Sequence, residues 1–466
     1  MTSAPATVTS PDVRSFEAEP AQAPAVWPLT AATMNGELYV GGVSMPALAQ
    51  ECGTPLYVVD EADFRHRVRE WRDASGADRV HYAGKAFLCA EMVRWVAAED
   101  LYLDVCSIGE LQLALDSAFD PARLVLHGNN KSHDELSLAV SASVGIVVVD
   151  SMAEIALLSE IATDLGCVQQ VYVRVAAGVA AKTHEYISTG GEDVKFGLRI
   201  SEGAAESAAL AAAAAPGLEL VGIHSHIGSQ LLTTEQLREA AARIGALVRT
   251  LRDEHRLSID DVDLGGGAGI AYLPDQVRLD PAECVTSMRE GLSRSIPPDS
   301  VRLSVEPGRS LIGSAGITLY TVGAVKDGLR RRFVAVDGGM SDALRPSLYG
   351  SGYTTCLANR GAGGEAVRTV VVGRHCESGD VVVPDLLMSS TVQPGDLLAV
   401  AATGAYHHTM ANNYNMQPRP AVVSVHEGQA RLMVRRELPS DLVARDGNGV
   451  RIPLPQQTPG DVLEDR

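Results

Sequence analysis

Four short stretches of this chain bring together residue types that can act on a small molecule. Lys85 ends the run His81-Tyr82-Ala83-Gly84-Lys85. In a closed mouth, desolvation would lower the pKa of such an amine and leave it neutral enough to form an imine. A lone lysine is more commonly a surface residue, so its companions decide its rank. His224 and His226 alternate in Gly222-Ile223-His224-Ser225-His226-Ile227-Gly228-Ser229-Gln230. Metal ligation is one use of such a pair, but no carboxylate stands at ligand spacing. A flat imidazole packed on a flat cofactor ring is a second use, and a satisfied core histidine a third. Gly265-Gly266-Gly267-Ala268-Gly269 lets backbone N–H groups crowd an anion, although a glycine run alone is often just a turn. In Glu306-Pro307-Gly308-Arg309 the carboxylate could pair with a protonated pyridine nitrogen and keep that ring electron-poor, or form a structural ion pair with Arg309.

Positioning these groups requires a scaffold that gathers strand ends. Short β-rich runs at 80–83, 101–106, 124–128, 145–150, 170–176, 220–228, 262–265 and 302–306 alternate with runs of helical period at 91–99, 109–117, 133–141, 152–165, 202–214, 234–254 and 281–295. Eight such units in about 230 residues match the size of a (β/α)8 barrel, whose active sites form at the C-terminal ends of the strands. All four stretches fall at such ends, and the glycine run follows strand seven, where barrel phosphate sites lie. A doubly wound sheet competes, since alternation does not show closure. After Pro307 the runs at 322–325, 332–336, 368–372, 397–401, 421–426 and 429–435 are short and split by Gly, Pro and Asp, predicting a second, mostly antiparallel β-domain. The segment 36–43 also reads as strand and is expected to pair with it. The α/β chain is therefore divided into a disordered tail (1–27), a strand segment of the β-domain (28–59), the cofactor-binding barrel (60–309), the C-terminal β-domain (310–450) and a flexible tail (451–466).

Composition narrows the function classes. A net charge of −19 argues against a nucleic-acid or anionic-membrane surface. Seven scattered cysteines with no CxxC pair suggest neither a disulfide framework nor a structural zinc site. The first 27 residues lack the apolar core of a signal peptide, and no apolar run is long enough to span a bilayer. A cytoplasmic enzyme with a small-molecule substrate, and with neither nucleic acid nor membrane as partner, is expected.

The motifs resemble those of the diaminopimelate decarboxylase family, in the alanine-racemase-like, fold type III group of pyridoxal-phosphate enzymes. The matching stretches, from about residue 36 to 445, include HYAGKA (81–86), DVCSIGEL (104–111), HGNNKS (127–132), THEYISTG (183–190), KFGL (195–198), HSHIGSQ (224–230), DLGGGAGI (263–270) and EPGRSLI (306–312). They continue with VDGGMSD (336–342), RPSLYG (345–350), HCESGD (375–380) and GAYHHTMANNYN (404–415). The resemblance implies a barrel joined to a β-domain, and a homodimer with active sites shared between subunits. It implies pyridoxal 5'-phosphate as cofactor, Lys85 as its Schiff-base lysine and His226 as the residue stacked on its ring. Ser229, the Gly265, Gly266 and Gly267 loop, and the backbone of Glu306, Gly308 and Arg309 are similar to the family's phosphate cradle, with Glu306 also facing the pyridine nitrogen. Arg309, Arg345 and Tyr349 resemble its substrate-carboxylate group, and Glu377 its ligand for the distal ammonium. Tyr406 resembles a further contact to cofactor or substrate. Cys376 resembles the proton donor, contributed by the partner subunit. Asp380 on the same turn would fix that loop or simply form it. No metal is implied.

The expected reaction is decarboxylation of meso-2,6-diaminopimelate to L-lysine, the last step of lysine biosynthesis. Arginines beside an acidic residue suit a distal end carrying both charges, whereas a diamine-forming enzyme needs only the acid. A sister decarboxylase of another basic or D-amino acid, a racemase and a non-catalytic relative stay open as alternatives. The chain departs from the family at Ala176-Ala177, where Asn-Pro is frequent, and at Val194, where Ser is frequent.

Overall fold

The computed structural model describes residues 15–76, 78–179, 195–297 and 299–447. The THEYISTG stretch, Val194 and the 451–466 tail lie outside the described residues. Strands Arg79–Ala83, Tyr102–Val105, Leu124–Leu126, Ile146–Val149, Gln169–Ala176, Leu218–His224, Asp261–Asp263 and Arg302–Val305 run parallel, each paired with the next. The eighth pairs back onto the first through Ser304 with Arg79 and Val305 with Val80. That closure removes the edges a doubly wound sheet would have and makes a (β/α)8 barrel. Its strands are buried on both faces, which is why Ile146–Val149 reads as an unbroken apolar run.

Local signals start the surrounding helices. Ser107, Ser132 and Ser151 stand just after barrel strands or their loops, and each accepts a hydrogen bond from the third helical N–H. Ser132 and Glu135 complete a reciprocal capping box. Beyond the expected helices, Glu61–Ser75 precedes the barrel and packs beside Pro281–Leu292. Its buried Phe64, Val68 and Trp71 recur at helical spacing, a signal present in the sequence but masked by the eight charged residues of the helix.

The second domain is a ten-stranded sheet, mostly antiparallel. Its long strand Gly316–Asp327 pairs first with Leu397–Val400 and Leu56–Asp60, then with Arg332–Val336, so the sheet bends and closes on itself. Three expectations are corrected here. The predicted tail through residue 27 contains the strand Ser15–Glu17, held in parallel between Thr354–Leu357 and Val381–Ser389, with Val26 and Trp27 buried behind it. The segment 36–43 does not join this sheet: Glu37–Val40 belongs to a small three-stranded sheet, and Leu56–Asp60 makes the module discontinuous instead. Thr354–Leu357 and Val381–Ser389 are strands that turn composition around them had hidden.

Asp60 joins the two domains. It ends the β-domain strand and caps helix Glu61–Ser75, with Oδ1 accepting from the N–H groups of Ala62 and Asp63. Oδ2 accepts from the N–H and hydroxyl of Thr30. Because the carboxylate is fully buried, its removal strands four donors. Asp60→Ala is expected to cost about 2–4 kcal/mol of stability in urea unfolding, and Asp60→Asn clearly less.

Candidate active site

The C-terminal ends of the strands surround a cavity of about 380 Å³. Lys85 enters it on the short turn Gly84–Ala86 after strand one, and Cys106 after strand two. His127 follows strand three, Arg174 lies on strand five, His224 ends strand six, and Glu306 follows strand eight. From the β-domain come Arg345, Tyr349, Tyr406 and Met410. Tyr406 holds a left-handed backbone (φ 61°), rare for so large a side chain, and its N–H donates to Ala86 O at 2.9 Å, next to Lys85.

Lys85 is accessible, but only toward this cavity, with protein packed densely around it. Its pKa departs from expectation. Desolvation is the largest influence and does push the amine down, yet Tyr406, Glu306, Asp104 and Cys106 together outweigh it and raise Lys85 above its ordinary value. Beside it the His226 imidazole is held well below its usual range by burial and then by the Lys85 charge. His226 Nδ1 accepts from the Gly266 N–H at 3.3 Å, so the neutral ring carries its proton on Nε2.

Behind these groups lies a buried polar network. Glu306 Oε1 is 3.1 Å from His224 Nε2 and 3.2 Å from His127 Nε2. His127 continues to Asp104 at 3.6 Å, and Asp104 to His81 at 2.9 Å. Burial opposes the Glu306 charge, but His127, His224 and Lys85 prevail and hold it well below the usual carboxylate range. Burial pushes His224 down to about 4, so it serves Glu306 as a neutral ring. Burial and the Glu306 charge push Asp263 well above the carboxylate range, making it the carboxyl of this group that keeps its proton. The carboxylate that sequence spacing did not offer to the histidines is thus Glu306, whose oxygen and the two Nε2 atoms lie within 4.8 Å of one another. Separations of hydrogen-bond length place both imidazoles beside the carboxylate. Even so, Glu306 Oε1 is buried without a well-directed hydrogen bond, and a ring N–H arriving from the cavity would satisfy it.

A smaller space of about 40 Å³ adjoins the first, lined by Lys85, His226, Ser229, Gly267, Gly308 and Ser310 among others. Gly267 has φ 109°, and a Cβ at Gly266 would stand 2.1 Å from Glu306 O, so side chains are excluded and the loops after strands seven and eight touch. Gly265, also left-handed at φ 68°, donates its N–H to Asp263. Among the described residues the buried Ser310 hydroxyl has no hydrogen-bond partner. Arg309 reaches in to donate to Ser229 Oγ at 2.9 Å. A phosphoryl-sized recess joined to a flat cavity with an acceptor at its far end fits a phosphorylated pyridine.

Of the residues named from the sequence, Lys85, His226, Ser229, Glu306, Arg309, Arg345, Tyr349 and Tyr406 line the larger cavity, and Gly267 and Gly308 the smaller. Cys376 and Glu377 do not; they sit exposed on a turn of the β-domain. Asp380 is buried beneath that turn and shapes it, accepting from the N–H groups of Met340 and His375. At the Ala176-Ala177 departure, the carbonyls of Ala177 and of the following Gly178 accept from Arg243. Sequence reasoning missed Asp104, His127, Arg174 and Tyr272, which gain meaning only through neighbours distant in the chain. Raising of Lys85 by Glu306 has a measurable sign. Capture of pyridoxal phosphate by cofactor-free protein, trapped with borohydride on Lys85, is expected to accelerate as pH rises from 7 to 10. In Glu306→Gln, which removes a negative neighbour, the midpoint shifts to lower pH.

Comparison with known proteins agrees with this geometry. Residues 61–313 match the family model of the pyridoxal-dependent decarboxylase, pyridoxal binding domain. A diaminopimelate decarboxylase of Mycobacterium tuberculosis is 48% identical over 436 residues, covering 91% of this chain and 98% of that one. One from Bacillus subtilis is 42% identical over 421 residues, covering 88% and 95%. The solved diaminopimelate decarboxylase of Helicobacter pylori complexed with L-lysine is 30% identical with a TM-score of 0.81, covering 87% of this chain and all of that one. The chain therefore belongs to the diaminopimelate decarboxylase family of pyridoxal-phosphate-dependent decarboxylases.

Proposed function

We propose that this protein decarboxylates meso-2,6-diaminopimelate to L-lysine and carbon dioxide, the final step of lysine biosynthesis, in the cytoplasm. The observation that carries the substrate assignment is a pair of buried cations, Arg309 and Arg345, facing the cavity with no carboxylate in ion-pairing reach among the described residues. Two uncompensated guanidiniums in a low-dielectric wall are costly unless an anion completes them. A substrate with a carboxylate distant from its reacting centre does so.

Bound pyridoxal phosphate supplies an electron-poor ring that accepts the electron pair left behind by departing carbon dioxide. Lys85 supplies the amine that holds the cofactor's aldehyde. Ser229, Gly265, Gly266, Gly267, Gly308 and Ser310 enclose the phosphate. Glu306, kept ionised by His127 and His224, holds a proton at the pyridine nitrogen. His226, neutral and flat, covers one ring face and excludes water there. Arg345 and Arg309, backed by Tyr349 and Tyr406, bind the distal carboxylate. Two tasks are left for residues from outside: among the described residues lining this chain's own cavity no carboxylate beyond Glu306 is available for the distal ammonium, and the family resemblance gives protonation at Cα to the cysteine of the β-domain turn. Glu377 and Cys376 of a second copy fill them, so the working enzyme is a homodimer with shared sites.

Carbon dioxide release from meso-diaminopimelate and from L-lysine tests the assignment, with only the first expected to react. Arg345→Ala should lower kcat/KM on diaminopimelate by roughly 100-fold or more while the cofactor stays bound; unchanged kinetics would remove Arg345 from the substrate site. Mixing inactive Lys85→Ala and Cys376→Ala chains should restore about a quarter of wild-type activity, because half of the random dimers carry one intact site. No recovery after verified subunit exchange would count against sharing.

A further inference from the structure

Arg309 and Arg345 are each held from behind by a buried tyrosine that does not itself line the cavity. Arg309 Nη1 donates to the Tyr272 hydroxyl, and Arg345 Nε donates to the Tyr353 hydroxyl at 3.1 Å. The two tyrosine rings meet edge-on, with centroids 5.4 Å apart and planes at 86°. Tyr272 arrives on the loop after barrel strand seven and Tyr353 from the β-domain, so the pair sits on the seam between domains. Thr354 ties it there, its hydroxyl donating to Tyr272 O at 2.8 Å. Guanidinium stacking adds to the restraint: Arg345 lies over Tyr349 at 5.3 Å and over Tyr272 at 5.7 Å, and Arg309 over Tyr406 at 4.6 Å.

The hydrogen-bond bookkeeping distinguishes the two arginines. Arg309 spends Nη1 on Tyr272, and Nε and Nη2 on Ser229. Arg345 spends Nε alone; among the described residues its two terminal nitrogens have no protein partner. Those are the atoms a carboxylate takes in two-pronged fashion. We propose that Tyr272 and Tyr353 are positioning residues for substrate recognition, locking Arg309 back against Ser229 and turning the free end of Arg345 toward the distal carboxylate. This rests on the diaminopimelate reading and names the residues that set its specificity from outside the site.

The electrostatics are consistent with the placement. Burial opposes ionisation of Tyr272, but Arg309 and Arg345 outweigh it and lower the hydroxyl below its ordinary range, making its oxygen a strong acceptor. His407, stacked edge-on with Tyr353 at 5.4 Å, is pushed down to about 3 by burial and by the arginines, so it adds no third cation behind the fork. An arginine side chain free to sample its rotamers would lose much of its binding energy to ordering. A fixed acceptor at Nε removes that loss before substrate arrives.

The test compares Tyr272→Phe and Tyr353→Phe holoenzymes with wild type. Each keeps the ring and loses only the acceptor. Each should raise KM for meso-diaminopimelate and the inhibition constant of L-lysine roughly 10-fold or more, with kcat within about twofold and the cofactor absorbance unchanged. Inhibition by cadaverine, which has the same two amines but no carboxylate, should be unaltered. Unchanged KM, equal weakening of lysine and cadaverine, or a fall in kcat alone overturns the proposal. If one variant fails to load cofactor the other decides, and failure of both overturns it, because a role confined to the fork leaves the fold intact. Wild-type protein that releases no carbon dioxide from diaminopimelate sinks the substrate reading instead; calorimetric binding of lysine against cadaverine then still tests the fork.

Discussion

A charged carboxylate buried in the mouth of a barrel is the constraint around which this site is built. Glu306 stays ionised in a place where burial alone would protonate it. That requires His127 and His224 at hydrogen-bond range, a nearby cation in Lys85, and an outer carboxyl, Asp263, that yields by keeping its proton. Each of these groups comes from a different strand end, so the network exists only if the barrel closes. Closure in turn is what pairs strand eight with strand one and brings Glu306 and Lys85 into one cavity.

The second domain completes what the barrel mouth begins. The barrel strand ends line most of both cavities, and the β-domain adds a further wall to the larger one. The β-domain supplies Arg345, Tyr349 and Tyr406, and the strained Tyr406 is joined by its backbone to the turn that carries Lys85. Asp60 serves the opposite end of the joint, ending a β-domain strand and opening the helix that precedes the barrel. In the proposed arrangement the barrel supplies most cofactor contacts together with Arg309, the β-domain supplies the other substrate contacts, and Tyr272 and Tyr353 meet at the seam between them.

Charge is distributed unevenly on purpose of function rather than of solubility alone. The chain carries −19 overall, yet its cavity presents Lys85, Arg174, Arg309 and Arg345. Among the described residues that line it, Glu306 is the carboxylate that answers them. Such a lining suits ligands that bring carboxylate or phosphate groups better than simple diamines. Glu377 lies on an exposed turn of the β-domain, outside this chain's own cavity.

Much of this was legible in the residues alone. Strand-length apolar runs alternating with helical periods announced eight units, because burial on both faces leaves a barrel strand no polar face to show. Glycine at Gly265, Gly266 and Gly267 announced a close backbone approach, since any side chain would collide or strain there. The ionisation states were not legible: a lysine expected to be depressed by burial is raised, because Tyr406, Glu306 and Asp104 are brought to it from other segments of the chain. Nor were Tyr272, two residues beyond the glycine-rich motif, and Tyr353, in an unremarkable turn; their hydroxyls matter only once folding sets an arginine against each. Residue type and spacing decide which chemistry a chain can carry, because they are properties of local backbone and side chain. Which groups are charged, held or hidden depends on distances between segments, and those are settled only when the barrel shuts and the β-domain closes over it.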